Sequence, residues 1–83
     1  DADAAALGEA LARRDLPAIV RAAHRIKGAS RMVGAQDLGT VCAAIERAGR
    51  AEDLTAVLAE EPRLRHELTR LTTHLERVGA KGP

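Results

Sequence analysis

His24, Lys27 and Gly28 stand at i, i+3 and i+4, so a helix through them puts an imidazole, an ammonium and a bare stretch of backbone on one face. Such a set is suited to phosphoryl transfer. A neutral imidazole is a good nucleophile near neutral pH, because histidine side chains ordinarily titrate near ~6.5. It can accept a phosphoryl group and return it. A cation one turn away offsets charge on the phosphoryl oxygens, and phosphoryl transfer is mostly positioning plus electrostatics. Gly28 is the informative residue. A glycine inside a helix costs roughly 0.5–1 kcal/mol against alanine, and this chain otherwise uses alanine freely, 18 times in 83 residues. Either the helix tolerates a weak spot here, or a second body must approach it beside His24. Arg21 and Arg31, on adjoining turns, extend the surface around the histidine.

The remaining titratable residues read more plainly. His66 and His74 lie eight apart, off the apolar stripe of their helix, and are expected to be solvated. A metal site built from His24, Glu46 and one of these would require particular bundle geometry, and none is expected. Cys42 is expected to pack as a small core residue. Glu60 and Glu61 read as a solvated face.

The elements that must position His24 are helices. Ala and Leu lead the helix-propensity scale and dominate the apolar set, while aromatic residues are absent and β-branched ones are few. A first helix is predicted from Ala2 to Arg13, with Leu7 and Leu11 one turn apart. Asp15 is a good N-cap for a second, and Pro17 fits its first turn, where a missing N–H costs little. This helix should reach Val33, with Gly34 at the C′ position. Its seam, Leu16, Ile19, Ala23, Ile26, Ser30 and Val33, repeats every three or four residues and faces the core. At ~100° per residue, His24 falls roughly 130° from the seam's centre and should be mostly exposed. A third helix is predicted from Ala35 to Ala48, with Asp37 near its positive end and Gly49 after it.

Glu52 and Asp53 open a fourth helix that ends at Gly79. Leu54, Val57, Leu58, Leu64, Leu68, Leu71, Leu75 and Val78 form its apolar stripe. Pro62 interrupts the backbone ladder, so a kink or break is predicted near Glu60 to Pro62. The stripe keeps phase across Pro62, which favours one kinked helix. Short loops between four amphipathic helices predict an all-α, antiparallel four-helix bundle.

Composition narrows the function classes. The chain's 83 residues fit a single domain, 1–83. One cysteine excludes an internal disulfide or a multi-cysteine zinc site. The lack of aromatics argues against base-stacking readers of single strands. A net charge of +1 falls short of a strongly basic nucleic-acid module. No apolar run approaches a membrane span, and no signal peptide is visible. No Gly-rich ATP loop is present either, so the chain is not expected to be an enzyme with its own nucleotide site. The first residue is Asp1 rather than Met, as in a piece of a larger protein.

The run AHRIKGASRMVGAQDLGTVCAAIE, from Ala23 to Glu46, resembles the signature of histidine-containing phosphotransfer (HPt) domains. The matching positions are Ala23, His24, Ile26, Lys27, Gly28, Ser30, Gly34, Leu38, Cys42, Ile45 and Glu46. The family pattern is A-H-x-L-K-G, then a small residue, a glycine six after the first glycine, and a Leu-Glu-like pair at the end of the third helix. Asp15-Leu16-Pro17 is similar to the family's approach to its second helix. The motif spans about a third of the chain and the four-helix layout nearly all of it. The first helix departs from the family in being short and lacking an aromatic residue.

The resemblance implies a phosphorelay intermediate. His24 would be the phosphoacceptor, taking the group from a receiver-domain aspartyl phosphate and passing it to the aspartate of a response regulator. Lys27 would assist the phosphoryl group, while Gly28, Arg21 and Arg31 would form the docking surface. Glu46 matches a position where the family carries Glu or Gln close to the imidazole. An ionised carboxylate only accepts hydrogen bonds, so Glu46 would orient the imidazole by accepting from one ring nitrogen. No metal or cofactor is expected on this domain, and magnesium is expected on the partner receiver domain. Neither nucleic acid nor direct membrane contact is implied. The expected setting is a cytoplasmic domain, as at the C-terminus of hybrid sensor histidine kinases, some of them inner-membrane proteins. Two other readings compete: a helix-turn-helix DNA binder built on the second and third helices, and a purely structural bundle. Basic residues spread over all helices count against the first, and Gly28 against the second.

Overall fold

The computed structural model describes residues 2–80, with side chains through Thr73. Five helices follow in order: α1 Ala2–Arg13, α2 Leu16–Met32, α3 Gln36–Arg50, α4 Leu54–Ala59 and α5 Glu61–Ala80. The fold is all-α, and among the described residues there is no strand. It keeps the four-helix layout, with α4 and α5 together making the fourth member.

Local chemistry sets the turns. The Asp15 carboxylate caps α2 by accepting from the Ala18 N–H at 3.3 Å, with Pro17 in the first turn. Asp53 does the same for α4, accepting from Ala56 at 3.1 Å. Gly34, at φ +73°, reverses the chain after α2, and Ala35 N–H closes back onto the Ser30 carbonyl at 2.9 Å. The same reversal follows α1 and α3, but Arg14 and Glu52, both at φ 57°, occupy the left-handed position. There Asp15 N–H reaches Ala10 O, and Asp53 N–H reaches Ala48 O. Glu52 therefore ends α3 rather than opening the next helix. A left-handed residue other than glycine is strained. Glu52→Gly is expected to stabilise the fold by on the order of 0.5–1 kcal/mol, the relief of that strain less glycine's extra chain entropy. Thermal melts of the two proteins test this, and an unchanged or lower midpoint would refute it.

Three further expectations are corrected. The predicted continuous fourth helix is two helices, broken at Glu60, whose N–H turns back to Val57 O at 3.1 Å. Pro62 thus falls in the first turn of α5, where its missing N–H leaves no ladder bond unmade. Gly49 lies inside α3 and is buried, rather than marking its end. Val33 is 63% exposed, because α2 stops at Met32 and its C-cap residue lifts away from the seam.

The core is Leu7, Ala10 and Leu11 of α1, Ile19, Ala22, Ala23 and Ile26 of α2, Leu38, Val41, Cys42 and Ile45 of α3, then Val57 and Leu64. Leu68 and Leu71 pack against it half-buried. Leu75, Val78 and His74 lie outside the described side chains. Burial pushes the Cys42 thiol up to about 11, so it stays protonated as a packing group. α2 and α3 form the tightest pair. His24 meets Glu46, and a Cβ built on Gly49 or Gly39 would face Val20 or Ser30 respectively, so the two helices run antiparallel. α1 is tied to α2 by Arg25 Nε donating to Asp3 at 3.2 Å, and α5 to α3 by Arg70 donating to Asp37 at 3.1 Å.

Candidate functional site

α2 and α3 meet face to face over a single carboxylate. Glu46, on α3, has a side chain only 8% exposed, yet three polar groups converge on it. Lys27 Nζ donates to Oε1 at 2.7 Å, Arg50 Nη2 donates to Oε2 at 2.7 Å, and His24 Nδ1 lies 3.1 Å from Oε2. His24 and Lys27 are presented together because the helical register of α2 separates them by one turn. Arg50 reaches Glu46 from the next turn of α3 itself.

Glu46 is held down to about 2, first by the Lys27 hydrogen bond, then by those from Arg50 and His24, against the opposing effect of burial. It is therefore ionised at any ordinary pH, and an ionised carboxylate accepts only. The 3.1 Å contact then requires the proton on His24 Nδ1. In the neutral ring this leaves the lone pair on Nε2. The His24 side chain is 62% exposed, so the ring is anchored on one nitrogen and open to solvent.

A carboxylate lowered in the fold stabilises it fully above the ordinary value, 4.5, and progressively less as pH falls toward about 2. Glu46→Gln lacks that contribution. The stability gap between the two proteins is expected to narrow over this interval, as read by urea unfolding at several pH values. A gap that is constant down to pH 2 would show that Glu46 is not held by charge.

The sequence-predicted residues fall as follows. His24, Lys27 and Glu46 are in mutual contact through the carboxylate. Lys27 differs from a free cation, since its ammonium is engaged by Glu46 and its side chain is 21% exposed. Gly28 is exposed, and a Cβ built on it would meet nothing within 4 Å. Arg21 and Arg31 are exposed and have no ion-pair partner among the described residues. His66, on α5, is exposed and outside this cluster. Among the described residues no group of three or more His, Cys, Asp and Glu side chains could hold a metal ion. Arg50 was not singled out by sequence. Its signal is its place at i+4 from Glu46, which matters only once Glu46 is known to be buried.

No described helix is long and apolar enough to cross a membrane. No match to the chain was found among the curated proteins or among the solved structures. The family model for the Hpt domain matches residues 1–78. Hpt domains are phosphotransfer modules of two-component signalling, without an ATP site of their own, and their partners are receiver domains and response regulators. With this match over nearly its whole length, and an all-α bundle to go with it, the chain belongs to the Hpt domain family.

Proposed function

We propose that His24 is a relay histidine, which accepts a phosphoryl group from a receiver-domain aspartyl phosphate and delivers it to the aspartate of a response regulator. The observation that carries this reading is the hydrogen bond between His24 Nδ1 and a buried, ionised Glu46 beneath an exposed ring. The Nε2 lone pair attacks phosphorus, and the bond from phosphorus to the aspartyl oxygen breaks. The electron pair leaves with the receiver's carboxylate. The ring then carries an N–P bond at Nε2 and retains its proton at Nδ1, so it is formally cationic. Glu46 Oε2 lies 3.1 Å from the Nδ1 that carries that proton, and it offsets the charge as it develops. The return step reverses each movement.

Lys27 holds Glu46 ionised with one of its three N–H donors, and the other two are free to meet phosphoryl oxygens. Gly28 leaves space for the receiver to approach, and Arg21 and Arg31 flank it. The magnesium ion such transfer requires belongs to the receiver, and this domain binds no cofactor. The setting we propose is a cytoplasmic domain working alongside the receiver of a hybrid sensor kinase. The test is incubation with a phosphorylated receiver domain. Label that is stable in base and lost in acid is expected on the chain, as for an N–P bond. Acid-stable label, or none, would overturn the reading.

A further inference from the structure

The chain's near-neutral total hides a separation of charge. α2 and α3 together carry six basic residues, Arg21, Arg25, Lys27, Arg31, Arg47 and Arg50, against two acidic ones, Asp37 and Glu46, a formal +4. The whole chain is at +1, so everything outside these two helices amounts to −3. α2 alone contains no acidic residue. The acids of the pair are already engaged: Asp37 bonds Arg70 of α5, and buried Glu46 lies between Lys27 and Arg50. Arg25 is paired with Asp3. Arg21 and Arg31 have no such partner among the described residues. At ~100° per residue, Arg21 lies ~60° and Arg31 ~20° around α2 from His24, so both share its face.

We propose that this face is an electrostatic docking surface for receiver domains whose rim around the phosphoaccepting aspartate is acidic, and that Arg21 and Arg31 select among receivers by speeding encounter with these. The proposal rests on the phosphotransfer reading and adds the chemistry of the partner. Unpaired guanidinium groups on an exposed face act over a Debye length, and complementary charge raises association rates by roughly 10–10³-fold at low salt. A basic rim would meet like charge and be turned away. Duplex DNA is the other polyanion the charge could suit. A groove-reading helix, however, carries base-contacting side chains where α2 presents an imidazole and a bare Gly28.

The experiment measures transfer kinetics from phosphorylated receiver domains, some acidic and some basic around the aspartate, at low salt and at 1 M, where the Debye length is ~3 Å. The chain is compared with Arg21→Glu/Arg31→Glu and with Arg63→Glu/Arg65→Glu. The latter makes the same charge change on α5, at exposed residues paired with Glu60 and Glu61. Circular dichroism confirms folding, and Arg21→Gln/Arg31→Gln provides a milder variant. Acidic-rimmed receivers are expected to react faster at low salt. The α2 reversal should lower their kcat/KM by about tenfold or more, the α5 reversal by far less, and 1 M salt should remove most of the difference. Equal effects of the two reversals, no effect of either, or equal rates with basic receivers would overturn the proposal while leaving phosphotransfer intact. Tight duplex DNA binding that the α2 reversal abolishes, without effect on transfer, would assign the face to nucleic acid instead. Absence of transfer from every receiver would refute the phosphotransfer reading itself, and this proposal with it.

Discussion

His24→Gln is expected to reduce phosphoryl labelling from a phosphorylated receiver to background while leaving the helical signal and melting midpoint close to those of the parent chain. Two physical facts separate those outcomes. His24 is exposed, so its ring contributes little to the core, and a glutamine amide can still donate to the buried Glu46 carboxylate. Leaving that carboxylate without its histidine donor is tolerable in any case, because Lys27 and Arg50 each bond it at 2.7 Å. An amide nitrogen, however, has no available lone pair to attack phosphorus. His66 is exposed on α5 and so is accessible to small phosphodonors, but it is outside the cluster around Glu46. Label that survives in His24→Gln, or that maps to His66 or His74, would remove His24 from the centre of the reading.

The parts of the fold that were legible in sequence are those fixed by local chemistry. Asp15, Pro17 and Gly34 bound α2 because a cap, a proline and a left-handed glycine each act within four residues of the helix end. The misread parts depend on contacts distant in sequence or on conformations that leave no residue signature. Glu52 adopts φ 57° without being glycine, so nothing marked it as the end of α3. The leucine stripe keeps its phase across Glu60 because that residue remains near helical geometry, at φ −83° and ψ −10°. A broken helix and a kinked one therefore share one periodicity. Val33 fits the seam by spacing, yet the helix stops one residue before it. In the site, His24, Lys27 and Gly28 were visible as residue types at helical spacing, while Glu46 was reached through the family resemblance. That Lys27 is engaged by Glu46, and that Arg50 joins it, depends on how deeply α2 and α3 bury that carboxylate. The concentration of positive charge on these two helices was present in the sequence but averaged away in the chain's total.

Gly28→Ala and Gly49→Ala are the same chemical change in neighbouring helices, and they are expected to move stability in opposite directions. Gly28 is exposed inside α2, and an added Cβ meets nothing within 4 Å. The substitution therefore gains only helix propensity, about 0.8–1.0 kcal/mol. Gly49 is buried inside α3, and its Cβ would lie 2.6 Å from Val20 Cγ2. Valine holds essentially one rotamer in a helix, so the methyl cannot swing aside cheaply. Overpacking of this kind costs about 1–3 kcal/mol, which exceeds the propensity gain over most of its range. Gly49→Ala should melt lower than the parent chain and Gly28→Ala higher. Function should run against stability at the first position. Gly28→Gln, with a longer side chain one turn from His24, should weaken transfer from a receiver while the fold stays at least as stable. That opposition is what a glycine kept for docking predicts, because nothing inside the chain needs the space it leaves. If Gly28→Gln transfers normally, the space serves no partner. If Gly28→Ala melts lower than the parent, Gly28 serves the helix, and the docking role assigned to it is wrong.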